Sequence, residues 1–110
     1  ISRVIAAARA DGAAIPVLPV EDTIKEVRDG RVAGTLDRTL LVRVQTPQGF
    51  RYDVLKKALE AARRDRFYGT DEAALAERIG IPVTALPGDP RNIKITTPVD
   101  IPIAEALLDA

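Results

Sequence analysis

The stretch Ala13-Ala14-Ile15-Pro16-Val17-Leu18-Pro19-Val20 decides the fold class. It carries no charged and no polar side chain, and so reads as a strand covered on both faces, since a half-exposed strand would alternate apolar with polar residues. Pro16 and Pro19 offer no backbone N–H, so the strand is expected to pair on one side only. Just ahead of it, Val4, Ile5 and Ala8 recur at helical spacing, with Ser2 as the cap and Asp11-Gly12 as the stop. A helix running into an apolar strand is the order of an α/β sheet.

Downstream the texture changes. Residues 21–37 alternate charged with apolar side chains around an Asp29-Gly30 turn, which predicts a hairpin with little to bury. Such a strand pair is marginal alone, so it is expected to project as an arm that leans on another surface. Residues 40–45 return as a strand and residues 46–50 form a loop. An amphipathic helix follows over residues 51–64, with Val54, Leu55, Ala58, Leu59 and Ala62 on its apolar face. Thr70 reads as the cap of a helix that ends at Gly80, and residues 83–86 as a strand. Residues 92–96 alternate strictly, which predicts a strand with Ile93 and Ile95 on one face and Lys94 on the other. Thr97, Pro98 and Asp100 form a helix start ahead of Ile103, Ala104, Leu107 and Leu108. The division that results is residues 1–20 as a helix and strand of an α/β core, 21–45 as the arm, and 46–110 as the rest of the core.

A chain of 110 residues supports one modest domain that would bury roughly two thirds of its unfolded surface. The opening at Ile1 reads as a helix already under way, so the chain is expected to start inside a longer protein. Sixteen lysines and arginines balance sixteen aspartates and glutamates, which leaves no general field for a nucleic acid. There is no cysteine, which excludes disulfides and thiolate chemistry, and no histidine, which excludes serine–histidine catalysis within these residues. No apolar run approaches the roughly 20 residues that span a bilayer, and no export signal opens the chain. A cytoplasmic protein without membrane contact is the expectation.

The side chains left for chemistry are Lys, Arg, Thr, Asp and Glu, a set suited to gripping phosphates. Read singly, each candidate also has an ordinary role. Thr70 is a helix cap, although a helix start with a hydroxyl also suits a phosphate. Lys94 is a solvated lysine, Arg38 an exposed partner of Asp37, Thr23 a residue favoured in strands on the face of Lys25, and Thr46 a turn residue ahead of Pro47.

Five stretches read together carry more: Val17 through Lys25, Thr35-Leu36-Asp37-Arg38, Gln45-Thr46-Pro47-Gln48-Gly49-Phe50, Thr70-Asp71-Glu72-Ala73, and Gly88 through Pro98. Their order and wording resemble the 2-C-methyl-D-erythritol 4-phosphate cytidylyltransferase family over nearly the whole chain. The resemblance implies a carboxy-terminal half of a Rossmann-like nucleotidyltransferase fold. It also implies a homodimer in which residues 21–45 cross to the second subunit, and an Mg²⁺-dependent transfer of CMP from CTP to methylerythritol phosphate in non-mevalonate isoprenoid synthesis. Thr23 and Arg38 of one subunit would then meet the acceptor phosphate of the other, while Thr46, Thr70 and Lys94 reach it within their own subunit, with Arg38 and Lys94 as the catalytic pair. The family's glycine-rich nucleotide loop and metal-side aspartate are not among these residues, so these residues alone are expected to be inactive and to supply the acceptor half, with no metal ligand of their own. A ribitol-phosphate cytidylyltransferase and a non-catalytic dimerisation module are the competing readings.

Overall fold

The computed structural model describes residues 1–109. Helix α1 (Ser2–Asp11) leads into β1 (Ala13–Pro19), and the hairpin β2 (Lys25–Arg28) and β3 (Arg31–Thr35) follows. A 3-10 turn (Arg38–Leu40) precedes β4 (Val42–Val44) and β5 (Gly49–Phe50). Two helices, α2 (Tyr52–Asp65) and α3 (Glu72–Arg78), then cross to β6 (Thr84–Pro87), and α4 (Asp100–Leu108) ends the described chain.

β1 is the centre of the main sheet. β4 and β5 pair antiparallel with it, opposite residues 17–19 and 13–14. β6 pairs parallel with it, Ala14 opposite Thr84 through Val17 opposite Pro87. The expectation of one-sided pairing therefore fails, and the placement of the prolines explains why. Pro16 O accepts from Gln45 N–H at 2.9 Å while Val17 O accepts from Gly88 N–H at 2.8 Å, so alternate residues serve opposite sides. The donor that Pro16 lacks falls in the gap between β5 and β4, and the one that Pro19 lacks falls beyond the end of β6. A proline is tolerated in a central strand where its neighbours are interrupted.

The parallel β1–β6 pair is reached through the α2–α3 crossover, and α1 packs against β1, β5 and β6. The buried core is made of alanine and valine: Val4 and Ala8 from α1, Ala13 and Ala14 from β1, Val54, Ala58, Ala61 and Ala62 from α2, Ala73 and Ala76 from α3. Small side chains let helix and strand backbones approach closely. Leu59, placed on the apolar face of α2 by spacing, is exposed instead.

Several boundaries move from their sequence positions. Ser2 is the first residue of α1 rather than its cap, and no side chain caps that helix. Thr23 lies ahead of β2, so it shares no β2 face with Lys25, whose Nζ donates to Thr35 Oγ1 at 2.8 Å. Residues 42–44 belong to the main sheet, and Leu40 lies in the 3-10 turn that Asp37 caps through Thr39 N–H. Residues 92–96 form no strand. Their period-two pattern is present, but they pair with no described strand, and their backbone bonds stay local, as from Asn92 N–H to Asp89 O.

Candidate functional site

A cleft of about 350 Å³ opens where the β4–β5 loop, the start of α3 and residues 90–94 meet. Thr46 and Lys94 both line it, joined by Arg43, Gln45, Gln48 and Asp71. The β4–β5 loop is held to the sheet by Gln45 N–H, which donates to Pro16 O, and it turns through a cis Thr46-Pro47 bond. Lys94 lies on an irregular segment, so side chains rather than a ladder must fix it.

The ties are specific. Gln45 Nε2 donates to Asp89 O at 2.8 Å and to Asn92 O at 2.9 Å, and Gln45 Oε1 accepts from Asp89 N–H at 3.1 Å. Asn92 Nδ2 donates to Thr46 O at 2.7 Å. On the opposite wall, Gln48 Nε2 donates to Asp71 Oδ2 at 2.8 Å and Gln48 Oε1 accepts from Ala73 N–H at 3.1 Å. Asp71 Oδ1 accepts from Ala74 N–H at 2.8 Å, which makes Asp71 the N-cap of α3.

Thr70 therefore does not cap that helix; it stands exposed one residue ahead of the cap. At the start of α3 the Ala73 and Ala74 N–H groups are already taken by Gln48 and Asp71, so these two do not face an anion. Thr70 is left with its hydroxyl beside a residue that lines the cleft.

The positive charge in the cleft comes from Lys94 and Arg43, facing one carboxylate, Asp71. Among the described residues neither forms an ion pair, whereas Arg91, the basic residue nearest Lys94 in the sequence, is paired with Asp89 at 3.1 Å. That guanidinium, and then the Arg91 N–H, hold the Asp89 carboxyl below the usual carboxylate range. The cation that shares the cleft with Lys94 is thus Arg43.

Arg38 and Thr23 stand apart from the cleft. Arg38 lines a separate depression with Val20, Leu41 and Pro87, and its guanidinium donates to Glu21 O across the foot of the hairpin. The expected Asp37–Arg38 ion pair does not form. Asp37 instead accepts from the Thr39 hydroxyl at 2.6 Å and from Thr39 N–H at 3.0 Å, and these bonds lower its pKa. Among the described residues no group of three or more His, Cys, Asp or Glu gathers as a metal site, and no helix is long and apolar enough to cross a membrane.

Sequence reasoning brought out Thr46 and Lys94 but missed the amides that hold them and the second cation, Arg43. The available signal was the pair of glutamines flanking Thr46-Pro47, since one side-chain amide donates and accepts at once and so suits the joining of two loops.

Two solved structures set the class. A crystal structure of 2-C-methyl-D-erythritol 4-phosphate cytidylyltransferase from Thermus thermophilus is similar with a TM-score of 0.87 at 39% identity, over 99% of this chain and 54% of that one. The 4-diphosphocytidyl-2C-methyl-D-erythritol synthase of Anaerococcus prevotii DSM 20548 is similar with a TM-score of 0.87 at 32% identity, over 99% of this chain and 49% of that one. The fold is that of a Rossmann-like nucleotidyltransferase.

The particular family follows from the sequence match. The model for IspD, 2-C-methyl-D-erythritol 4-phosphate cytidylyltransferase, covers residues 1–110, and the chain belongs to that family. A relative bearing that name in Syntrophus aciditrophicus (strain SB) is 51% identical over 109 residues, which are 98% of this chain and 47% of the relative. The chain spans about half the length of the curated relatives it matches.

Proposed function

We propose that these residues are the acceptor half of a cytidylyltransferase that moves CMP from CTP to 2-C-methyl-D-erythritol 4-phosphate and releases pyrophosphate. The observation that carries this is the convergence of Thr46 and Lys94 on one cleft, braced by family motifs, in a chain of that family.

A phosphate monoester, with a second pKa of about 6, is largely a dianion near neutral pH, so it needs alignment more than it needs a general base. An acceptor phosphate oxygen forms the new bond to the α-phosphorus of CTP. The bond from that phosphorus to the bridging oxygen breaks, and pyrophosphate departs with the electron pair. Lys94 offers a point charge to the acceptor phosphate, and the hydroxyls of Thr46 and Thr70 donate to its oxygens. Thr23 and Arg38, which lie outside the cleft, act on the cleft of a second subunit reached by the hairpin, where Arg38 grips two phosphate oxygens in its planar fork. Mg²⁺ is expected in the intact enzyme to stabilise the triphosphate. Its ligands are expected in the nucleotide half.

The test is steady-state kinetics on the intact enzyme with CTP, Mg²⁺ and methylerythritol phosphate, with ribitol phosphate as the competing acceptor. Lys94→Ala should lower acceptor efficiency by about 1.5–4 kcal/mol in transition-state stabilisation, with affinity for CTP hardly changed. Arg38→Lys keeps the charge and loses the fork, and should also lower efficiency. A weakened CTP constant with acceptor use intact would assign these residues to the nucleotide site and overturn the reading.

A further inference from the structure

Lys94, Thr46 and Thr70 lie on three loops that no sheet ladder joins. A cleft of this kind keeps its dimensions only if side chains tie the loops together. Among the described residues those ties are few, and they centre on Gln45 and Gln48. Gln45 holds the segment leading to Lys94 through three bonds to Asp89 and Asn92. Gln48 holds the segment following Thr70 through its bonds to Asp71 and Ala73.

Two details indicate that the amide itself is required. Gln45 meets two carbonyls and an N–H, and Gln48 meets a carboxylate and an N–H, so each must donate and accept from one planar group; neither a carboxylate nor an aliphatic side chain does both. Gly88, in turn, leaves no room for a side chain. A Cβ there would collide with Gln45 Oε1 and would lie 3.1 Å from Val17 O. The glycine thus opens the space in which the Gln45 amide sits, while its N–H binds the central strand at Val17 O.

We propose that Gln45 and Gln48 are positioning residues that set the separation of Lys94, Thr46 and Thr70, and through it the fit of the cleft to the acceptor phosphate. The inference rests on the acceptor-half reading above. Gln48 acts through Asp71 and the start of α3, and Gln45 through residues 89–92; neither makes its contribution by touching the reacting atoms.

The experiment uses the intact enzyme, with methylerythritol phosphate and CTP varied in turn. Wild-type transfer tests the acceptor-half reading by itself, and the variants test the positioning role. Gln48→Glu sets a carboxylate against Asp71 and should raise the acceptor KM by about 10- to 100-fold, the cost expected of a misplacement on the order of 1 Å, while the KM for CTP stays constant. Adding Asp71→Asn reverses the polarity of the pair without altering net charge. The new amide donates to the new carboxylate, and both N–H groups of α3 keep an acceptor. The doubly substituted enzyme should recover most of the acceptor KM. An unchanged acceptor KM in Gln48→Glu, or a double variant no better than the single one, overturns the proposal.

If Gln48→Glu fails to fold, the double variant decides alone: a wild-type acceptor KM supports the role and a raised one refutes it. For Gln45, Gln45→Leu and Gly88→Ala should both raise the acceptor KM, the first by removing the amide and the second by displacing it. A lower melting temperature with both KM values unchanged would assign Gln45 to stability alone and end its part of the proposal.

Discussion

The loops around the cleft and the β2–β3 hairpin both expose much of their backbone, yet they are held in opposite ways. The cleft loops are joined across 23 to 47 positions of sequence by side-chain amides, as in Gln48 to Asp71 and Gln45 to Asn92. Among the described residues the bonds that hold the hairpin are local: its own ladder, the Asp29-Gly30 turn, the Lys25–Thr35 bond, and at its foot Leu36 N–H to Ile24 O and Arg38 to Glu21 O, while Val27 and Val32 stay open to solvent. The radius of gyration, 16.4 Å, exceeds the roughly 13 Å of a compact chain of this length, as a projecting pair of strands requires. Long-range polar ties mark the region whose shape is set within the chain. Local ties over uncovered valines mark the region that, under the dimer proposal, leans on a second subunit.

The strongest way to break this contrast is to remove the arm. Under the dimer proposal, replacing residues 25–35 with a short turn should convert the intact enzyme from dimer to monomer in sedimentation velocity, because Val27 and Val32 would lose the surface they cover. An unchanged dimer would mean that the hairpin is not the interface. Methylerythritol phosphate turnover should fall in the same variant, since Thr23 and Arg38 would no longer be carried to a second cleft.

Two glycines sharpen the contrast, because they are required for different reasons. Gly88 lacks room for a Cβ, whereas Gly30 has open space around it and a φ of 75°. Gly88→Ala should therefore act as an overpacking change and destabilise the fold by about 1–3 kcal/mol, visible in thermal unfolding. Gly30→Ala should cost about 1–2 kcal/mol of left-handed strain confined to the arm, so dimer affinity should fall while the melting temperature of the monomeric unit stays put. A reversed pattern, with Gly30→Ala lowering the monomer's melting temperature, would show that the hairpin is coupled to the core after all.

What could be read from the sequence follows the same division. Local signals gave local structure: the Asp29-Gly30 turn, the apolar β1 stretch and the α2 helix lie where residue order predicts, although Leu59 on the periodic face of α2 turns outward. Errors came where a distant partner decides. Pro16 sits in a central strand because β4 and β5 leave a gap opposite it, and nothing in residues 13–20 announces that gap. Residues 92–96 alternate like a strand but pair with no described strand. Thr70 loses the cap to Asp71, whose carboxylate also serves Gln48, a bond formed across the fold. Arg43 escaped notice because one exposed arginine in a strand carries no mark of the cleft it lines.

The smallest expected effect concerns α4, which resembles the hairpin in burying none of its described side chains. Its start is nevertheless well tied. The Asp100 carboxylate accepts from Thr96 N–H at 3.1 Å and Thr97 N–H at 3.0 Å, and from the two hydroxyls at 3.2 and 3.1 Å. These bonds, with the Thr96 N–H foremost and the Thr97 N–H next, hold the Asp100 pKa below its ordinary value of 3.8. A lowered folded-state pKa means that the stabilisation is fully present above the unfolded value and is lost as pH falls through the folded one. Asp37, Asp65 and Asp89 are lowered as well, so a global acid melt would mix their contributions with that of Asp100. A local readout separates them. The amide proton signals of Thr96 and Thr97 should titrate together in acid with a midpoint below 3.8, and Asp100→Asn should abolish that titration while leaving the cleft amides of Ala73 and Asp89 unmoved at neutral pH. If the Thr96 and Thr97 amides titrate as before in Asp100→Asn, another group is responsible for their titration. If Asp100→Asn shifts the cleft amides at neutral pH, α4 is joined to the braced region and belongs on the other side of the comparison.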